Sequence, residues 1–112
     1  MTKGDLVLVN FPFTDLTQTK LRPALVLWVS PNGEDFVVCA ITSQNLLNLQ
    51  PEDFLIDTGD AEFAETGLRV ASKIRVTRVA TLRRSLLLKK LGKLGAKQRE
   101  KLNTQLLQTF QF

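Results

Sequence analysis

The fold of this chain is decided by one stretch, Lys20-Leu21-Arg22-Pro23-Ala24-Leu25-Val26-Leu27. The apolar run after Pro23 predicts a buried β-strand, and Arg22 stands where the preceding loop ends. A guanidinium keeps its charge at any physiological pH and carries a planar set of donors that suits a phosphate group. Arg22 is therefore either a phosphate-binding residue or a surface residue that begins the strand and pairs with a nearby acid.

Strands are predicted on both sides of this stretch. Residues 5–10 are short, β-branched and apolar, and this strand ends at Pro12 because proline cannot donate to a strand ladder. A long polar connection leads to the second strand, residues 22–29. The Asn32-Gly33 pair then predicts a tight turn into a third strand, residues 35–42. These three strands predict an antiparallel meander.

The rest of the chain predicts further short strands and one helix. Residues 43–49 predict a cap and one helical turn, and residues 53–57 an edge strand. In residues 68–76 the apolar positions alternate with cations, which predicts a strand with Arg69, Lys73 and Arg75 on its exposed face. Residues 79–82 and 86–88 predict one or two short strands before Gly92.

The last segment changes from strand to helix spacing. Beyond Gly95, four apolar residues share one stripe at helical spacing: Leu102, Leu106, Leu107 and Phe110. This predicts one amphipathic helix of about four turns that packs on the sheet.

Composition excludes several kinds of site. The chain of 112 residues has no histidine, no tyrosine and a single cysteine, Cys39, which excludes the usual zinc sites and the Ser/His/Asp and Cys/His nucleophile systems. Acidic pairs such as Glu52 with Asp53 crowd a predicted edge hairpin and are interpreted as surface charges that favour solubility. With no signal peptide and no apolar run near the roughly 18 residues of a membrane span, we expect one cytoplasmic domain over residues 1–112 and no membrane partner.

Charge is segregated along the chain. Through Glu65 there are ten acids against three bases, whereas from Arg69 onward there are twelve bases against one acid. Such a polycationic half favours a nucleic acid or an acidic protein as partner, although a basic solvated face is the alternative.

One group of residues could bind the phosphates of a nucleic acid. If the second and third strands pair through the Asn-Gly turn, Arg22 and Thr42 lie at the same end of the hairpin. Ser43 adds a hydroxyl, and Lys73 and Arg75 could add charge from the later strand. Phe11 and Phe13 are available to stack on bases, with core packing as the alternative for at least one of them.

The ordered set of motifs resembles one known family. The segments are Gly4-Asp5-Leu6-Val7-Leu8-Val9, Phe11-Pro12-Phe13-Thr14-Asp15, Leu21-Arg22-Pro23-Ala24-Leu25-Val26, Ala40-Ile41-Thr42-Ser43, Ser72-Lys73-Ile74-Arg75 and Leu91-Gly92-Lys93-Leu94. In this order, over nearly the whole chain, they resemble the PemK/MazF toxins of type II toxin–antitoxin systems.

The resemblance implies a mainly β fold, an SH3-like, partly open barrel with a C-terminal α-helix, assembled as a homodimer. It implies cleavage of single-stranded RNA without a metal or other cofactor, and inhibition by a small antitoxin. Arg22 and Thr42 match the family's catalytic arginine and threonine. The loop of about residues 13–20 would flank the RNA and be covered by the antitoxin.

The predicted RNA-binding residues are Phe13, Thr14, Asp15, Lys20, Ser43, Ser72, Lys73 and Arg75. One of these positions departs from the family. Several members carry a carboxylate where this chain has Ser72, so a carboxylate base is excluded there. Either Asp15 or another group takes its place, or activity is reduced.

Two other functions share this fold class. CcdB-like toxins use the same barrel to poison DNA gyrase without cutting RNA, and a non-catalytic RNA-binding barrel would need only the basic face. The pair Arg22 and Thr42 favours the endoribonuclease.

Overall fold

A six-stranded antiparallel sheet and one helix make up the described part of the chain. The computed structural model describes residues 1–12 and 19–112. The elements are β1 (Asp5–Pro12), β2 (Thr19–Val29), β3 (Asp35–Thr42), β4 (Asp53–Ile56), β5 (Ser72–Arg83), β6 (Leu87–Lys93) and α1 (Ala96–Thr109). The strand order is β4-β5-β3-β2-β1-β6, and β4 and β6 do not pair within the described residues. The predicted fold class, a mainly β, partly open architecture with a C-terminal helix, is confirmed.

The predicted meander of the first three strands is present. β1 is described up to Pro12, so its predicted end lies at the edge of the described residues, and β2 pairs antiparallel with both β1 and β3. Gly33 has a φ of 73° in the turn between β2 and β3. The Ser30 N–H donates to the Asp35 carbonyl across this turn at 2.9 Å. Positive φ is accessible to glycine without a steric penalty, so the Asn-Gly pair fixes this hairpin.

The strands after β4 differ from the prediction. β5 is a single strand of 12 residues, in place of the two strands predicted over 68–76 and 79–82. On β3, Cys39 pairs with Val79 and Ala40 pairs with Arg75, so residues 76–78 form a bulge in β5. Residues 68–71 lie outside the sheet, and the predicted helical turn in 43–49 is only a hydrogen-bonded turn.

The sheet buries apolar side chains on both faces. One cluster lies against α1 and contains Leu6, Leu25, Cys39, Ile41, Phe54, Ile56, Ile74, Val76, Leu94 and Leu102. The other contains Val7, Val9, Ala24, Val26, Phe36, Val38 and Leu82. The alternation along β1, with Leu6 in one cluster and Val7 in the other, is the period of a strand with two apolar faces.

Half of the predicted apolar stripe of α1 lies outside the core. Leu102 is buried and Leu106 packs against the first cluster. Leu107 and Phe110 are 71% and 47% exposed, so the prediction that they pack on the sheet is wrong.

Two side chains fix α1 to the sheet. The Glu62 carboxylate accepts the N–H groups of Lys97 and Gln98 at 3.2 and 2.8 Å, which satisfies free donors in the first helical turn. A Cβ on Gly95 would clash with this carboxylate, so a larger residue there would require the Glu62 side chain to move. At the other end, Gln105 donates to the backbone carbonyl of Asp53 at 2.7 Å.

A thiol reagent tests the packing of β3. Burial raises the pKa of the Cys39 thiol to about 12. Since the thiolate is the reactive form, the thiol stays protonated and unreactive near neutral pH. We expect iodoacetamide at pH 8 to leave the folded protein unmodified by mass spectrometry, while the same protein in denaturing urea is alkylated completely. Equal rates in the two conditions would contradict the buried position.

Candidate functional site

A groove of about 660 Å³ opens where β1, β2, β3 and β5 lie side by side. Its lining residues are Phe11, Arg22, Ala40, Ile41, Thr42, Gln44, Asn45, Lys73, Arg75, Thr77, Arg78, Val79 and Ala80. Most of these positions continue the face of the sheet that buries the second apolar cluster. The groove begins where that face changes from apolar to polar side chains.

Arg22 and Thr42 lie at the same end of the β2–β3 hairpin and both line the groove. The register pairs Ala24 with Ala40, and Arg22 precedes Ala24 by two residues as Thr42 follows Ala40 by two. Residues two apart on a strand share a face, so both side chains project from one side of the sheet. The hairpin geometry inferred from the sequence therefore places these two residues as expected.

The hydroxyl of Thr42 is oriented by its own loop. Its Oγ1 accepts the backbone N–H of Gln44 at 3.1 Å. A threonine hydroxyl has one hydrogen and two lone pairs, so this contact occupies an acceptor site and leaves the hydrogen available to a ligand. Thr42 is thereby prepared to donate into the groove.

Four cations line the groove: Arg22, Lys73, Arg75 and Arg78. No carboxylate of the described residues is among the lining side chains. A concave site with charges of one sign attracts a polyanion from solution and raises its rate of association. The electrostatics of the groove therefore suit a chain of phosphates.

Lys73 is buried, which corrects the expectation that the cations of this strand lie on its exposed face. Its side chain is only 6% exposed. The ammonium donates to the carbonyls of Asn45 and Asn48 at 3.1 and 3.4 Å, and lies 3.5 Å from an Asp53 carboxylate oxygen. Because an ammonium has three donors, these three acceptors use its capacity within the protein.

Asp53 is also buried, so its interpretation as a surface charge is wrong. Its side chain is 0% exposed and one oxygen accepts the Gln50 N–H at 2.9 Å. The other oxygen lies 3.7 Å from Nε of Arg75, whose side chain is 33% exposed. Arg75 therefore contacts a buried carboxylate while part of its guanidinium reaches the groove.

The remaining predicted residues have different placements. Ser72 is buried and donates its hydroxyl to the Val70 carbonyl at 3.0 Å, away from the groove. Ser43 and Lys20 are exposed near it but are not among its lining residues. Phe13, Thr14 and Asp15 lie outside the described residues. The RNA-binding roles of all these residues stay predictions.

The chain matches one known family over nearly its whole length. Residues 2–110 match the family described as PemK-like, MazF-like toxins of type II toxin–antitoxin systems. The chain belongs to this family. Members of the PemK/MazF family are known as endoribonucleases, and a match over nearly the whole chain confirms the resemblance read from the motifs.

Solved structures show the same fold at low sequence identity. The MazF-mt6 toxin of Mycobacterium tuberculosis superposes with a TM-score of 0.72 at 21% identity, covering 95% of both chains. MazF from Deinococcus radiodurans gives 0.72 at 23% identity, covering 100% of this chain and 97% of its own. A mycobacterial endoribonuclease in complex with its cognate antitoxin gives 0.69 at 16% identity, covering 96% of this chain and 92% of its own. No curated protein matches the sequence.

Other sites and spans are absent from the described parts of this PemK/MazF chain. Across residues 1–12 and 19–112, no cluster of three or more Cys, Asp or Glu side chains is placed to hold a metal ion. In the same ranges, no helix has the length and apolar character that a membrane span requires.

Four polar groove residues were not predicted from the sequence: Gln44, Asn45, Thr77 and Arg78. Thr77 and Arg78 enter the groove because they follow Val76 in the β5 bulge, where the strand period is broken. The sequence signal for these two residues is that they form a polar pair that interrupts the apolar alternation. From the sequence alone, this break predicts a gap between two strands. Nothing in the sequence distinguishes Gln44 and Asn45 from other polar loop residues.

Removing the Asp53 carboxylate tests the buried charges. We expect Asp53→Ala to lower the free energy of unfolding by about 3 kcal/mol or more, because it leaves the buried Lys73 ammonium without its counter-charge. Urea denaturation followed by circular dichroism measures this loss.

Asp35 provides the matched control, since it lies exposed on β3. Asp35→Ala should change the free energy of unfolding by no more than about 0.5 kcal/mol. If the two variants were equally stable, the carboxylate of Asp53 would not be the buried counter-charge described here.

Proposed function

We propose that this protein is an endoribonuclease toxin that cuts single-stranded RNA at the groove between β2, β3 and β5. The observation that carries the proposal is the pair Arg22 and Thr42 on one cationic groove in a PemK/MazF chain. The reaction is attack of a ribose 2′-OH on the adjacent phosphorus. A bond forms from O2′ to phosphorus as the 2′-OH loses its proton, the bond from phosphorus to O5′ breaks, and O5′ takes up a proton. The products are a 2′,3′-cyclic phosphate and a 5′-hydroxyl.

Arg22 stabilises the charge that develops on the phosphoryl oxygens. Its position within β2 holds the guanidinium at the groove before the substrate arrives. A fixed donor aimed at developing charge contributes about 3 kcal/mol to transition-state binding in comparable sites. A guanidinium stays protonated in proteins and is a poor proton carrier, so the part of Arg22 is electrostatic.

Thr42 positions the scissile phosphate by donating its hydroxyl hydrogen to a non-bridging oxygen. The Gln44 N–H that Oγ1 accepts directs this hydrogen away from the loop. Asp53 does not act as the base, since its carboxylate is 0% exposed behind Lys73 and Arg75. The 2′-OH proton therefore leaves to a group other than this carboxylate.

Purified protein should cut single-stranded RNA in the presence of EDTA. Arg22→Ala should reduce the rate about a hundredfold or more through the loss of charge stabilisation, without changing the circular dichroism spectrum. A gel assay with a labelled RNA measures the rate, and a substrate with 2′-deoxyribose at the cleavage site should stay intact because the nucleophile is missing.

Arg83→Ala is the matched control because Arg83 is exposed at the other end of β5, opposite Asp35. This variant should retain nearly the wild-type rate. Equal activity of Arg22→Ala and the wild type would refute the assignment of Arg22. Intact RNA with stalled gyrase complexes would instead support a CcdB-like toxin, and RNA binding without cutting would support a non-catalytic barrel.

The same proposal gives the protein two protein partners. It assembles as a homodimer in solution. A small acidic antitoxin inhibits it by covering the groove, and this inhibition relieves the effect of the toxin on growth. The twelve bases from Arg69 onward supply the complementary charge.

Light scattering should return twice the mass of the 112-residue chain. The affinity for the antitoxin, measured by titration calorimetry, should fall as the salt concentration increases, because exposed charges are screened. A monomer at micromolar concentration, or binding that does not depend on salt, would contradict these two partner assignments.

A further inference from the structure

We propose that Gln44 and Asn45 select a base of the RNA, and that the buried Lys73–Asp53 pair holds them in place. This inference rests on the proposed function and adds the groups that decide which sequence is cut. It also gives Lys73 a different role from a direct phosphate contact.

The first step is the chemistry of the two side chains. Gln44 and Asn45 are exposed and line the groove next to Thr42. Within the described residues neither side-chain amide makes a hydrogen bond, whereas the nearby Asn48 amide already accepts from Gln50 at 3.4 Å. A carboxamide carries a donor and an acceptor side by side, which is the pattern that reads the edge of a nucleobase. In single-stranded RNA these base edges are accessible.

The second step is that the loop carrying these amides is held rigidly. The Lys73 ammonium donates to the carbonyls of Asn45 and Asn48, so one buried charge pins both ends of the turn at 45–48. The Asn48 N–H closes the turn on the Asn45 carbonyl at 3.2 Å. Asn45 itself has a φ of 53°, a left-handed conformation that asparagine tolerates better than most residues.

The third step links this loop to the reacting phosphate. The Gln44 N–H donates to Oγ1 of Thr42, so the residue that would hold the phosphate and the residue that would read the base share one hydrogen bond. A base bound by Gln44 is therefore adjacent to the phosphate bound by Thr42. Displacing the loop would alter the choice of base and the position of the phosphate together.

The ammonium of Lys73 is directed into the protein, with two hydrogen bonds to backbone carbonyls and an ion pair to Asp53. Three acceptors surround it and its side chain is 6% exposed. It is a positioning residue that acts through the loop. Its removal should broaden the choice of sequence, whereas loss of a phosphate contact would weaken all sequences alike.

The test maps cleavage sites on a randomised single-stranded RNA by sequencing the new 5′-hydroxyl ends. Gln44→Glu and Asn45→Asp keep the shape of each side chain and its acceptors but remove the amide donors. For at least one of the two variants, we expect the ratio of preferred to other bases at one position to change about tenfold. A uniform loss of cutting from the added negative charge does not alter this ratio.

Gln108→Glu makes the same change on an exposed position of α1 and should leave the ratio unchanged. Lys73→Met, with folding checked by circular dichroism, should reduce the base preference. If Lys73→Met weakens all sites equally and lowers the salt dependence of binding, Lys73 is a phosphate contact and its positioning role is wrong.

The outcomes separate this inference from the proposed function. Wild-type protein that cuts no RNA overturns both. Wild-type protein that cuts at defined sites, with Gln44→Glu and Asn45→Asp cutting at the same sites in the same ratios, overturns only the base selection. Because Gln44 and Asn45 are both exposed, their variants should fold. These two variants therefore test the base selection even if Lys73→Met does not fold.

Discussion

One buried carboxylate, Asp53, contacts two cations of the groove and the loop before β4. It stands between the Lys73 ammonium at 3.5 Å and the Arg75 guanidinium at 3.7 Å. A buried ion pair adds little net stability, because desolvation offsets most of the attraction, but loss of one partner leaves an uncompensated charge. Asp53 therefore contributes more to the relative placement of the neighbouring strands and loop than to the net stability of the fold. That arrangement includes the pairing of β4 with β5 and the course of the loop before β4.

The helix takes part in the same arrangement from the other side of the sheet. Gln105 donates to the backbone carbonyls of Pro51 and Asp53, so α1 holds the residue that pairs the two cations. Glu62 fixes the first turn of α1 by accepting two of its N–H groups. A change in helix packing would thus reach the groove through the start of β4.

The sequence predicted the local hairpin geometry better than the burial of charges. Strand alternation and the Asn-Gly turn place Arg22 and Thr42 on one face, since both signals depend on neighbours in the chain. The burial of Lys73 depends on carbonyls about 25 residues away along the chain. Alternation alone assigned this lysine to the solvent side. In the same way, the β5 bulge that brings Arg78 to the groove depends on pairing with β3, so the local break in alternation does not distinguish a bulge from a gap between strands.

The roles proposed for the groove residues are of two kinds, stabilisation of charge on the phosphate and selection of the RNA sequence. Of the four cations that line the groove, Lys73 is buried against Asp53, and Arg75 contacts the same carboxylate from a more exposed position. Phosphate contacts supply affinity that is the same for every sequence, so they do not choose where a chain is cut. Choice requires groups with directional hydrogen bonds at a fixed position. In this groove those groups are the amides of a loop that a buried lysine holds, so a residue that does not itself contact RNA influences which RNA fits.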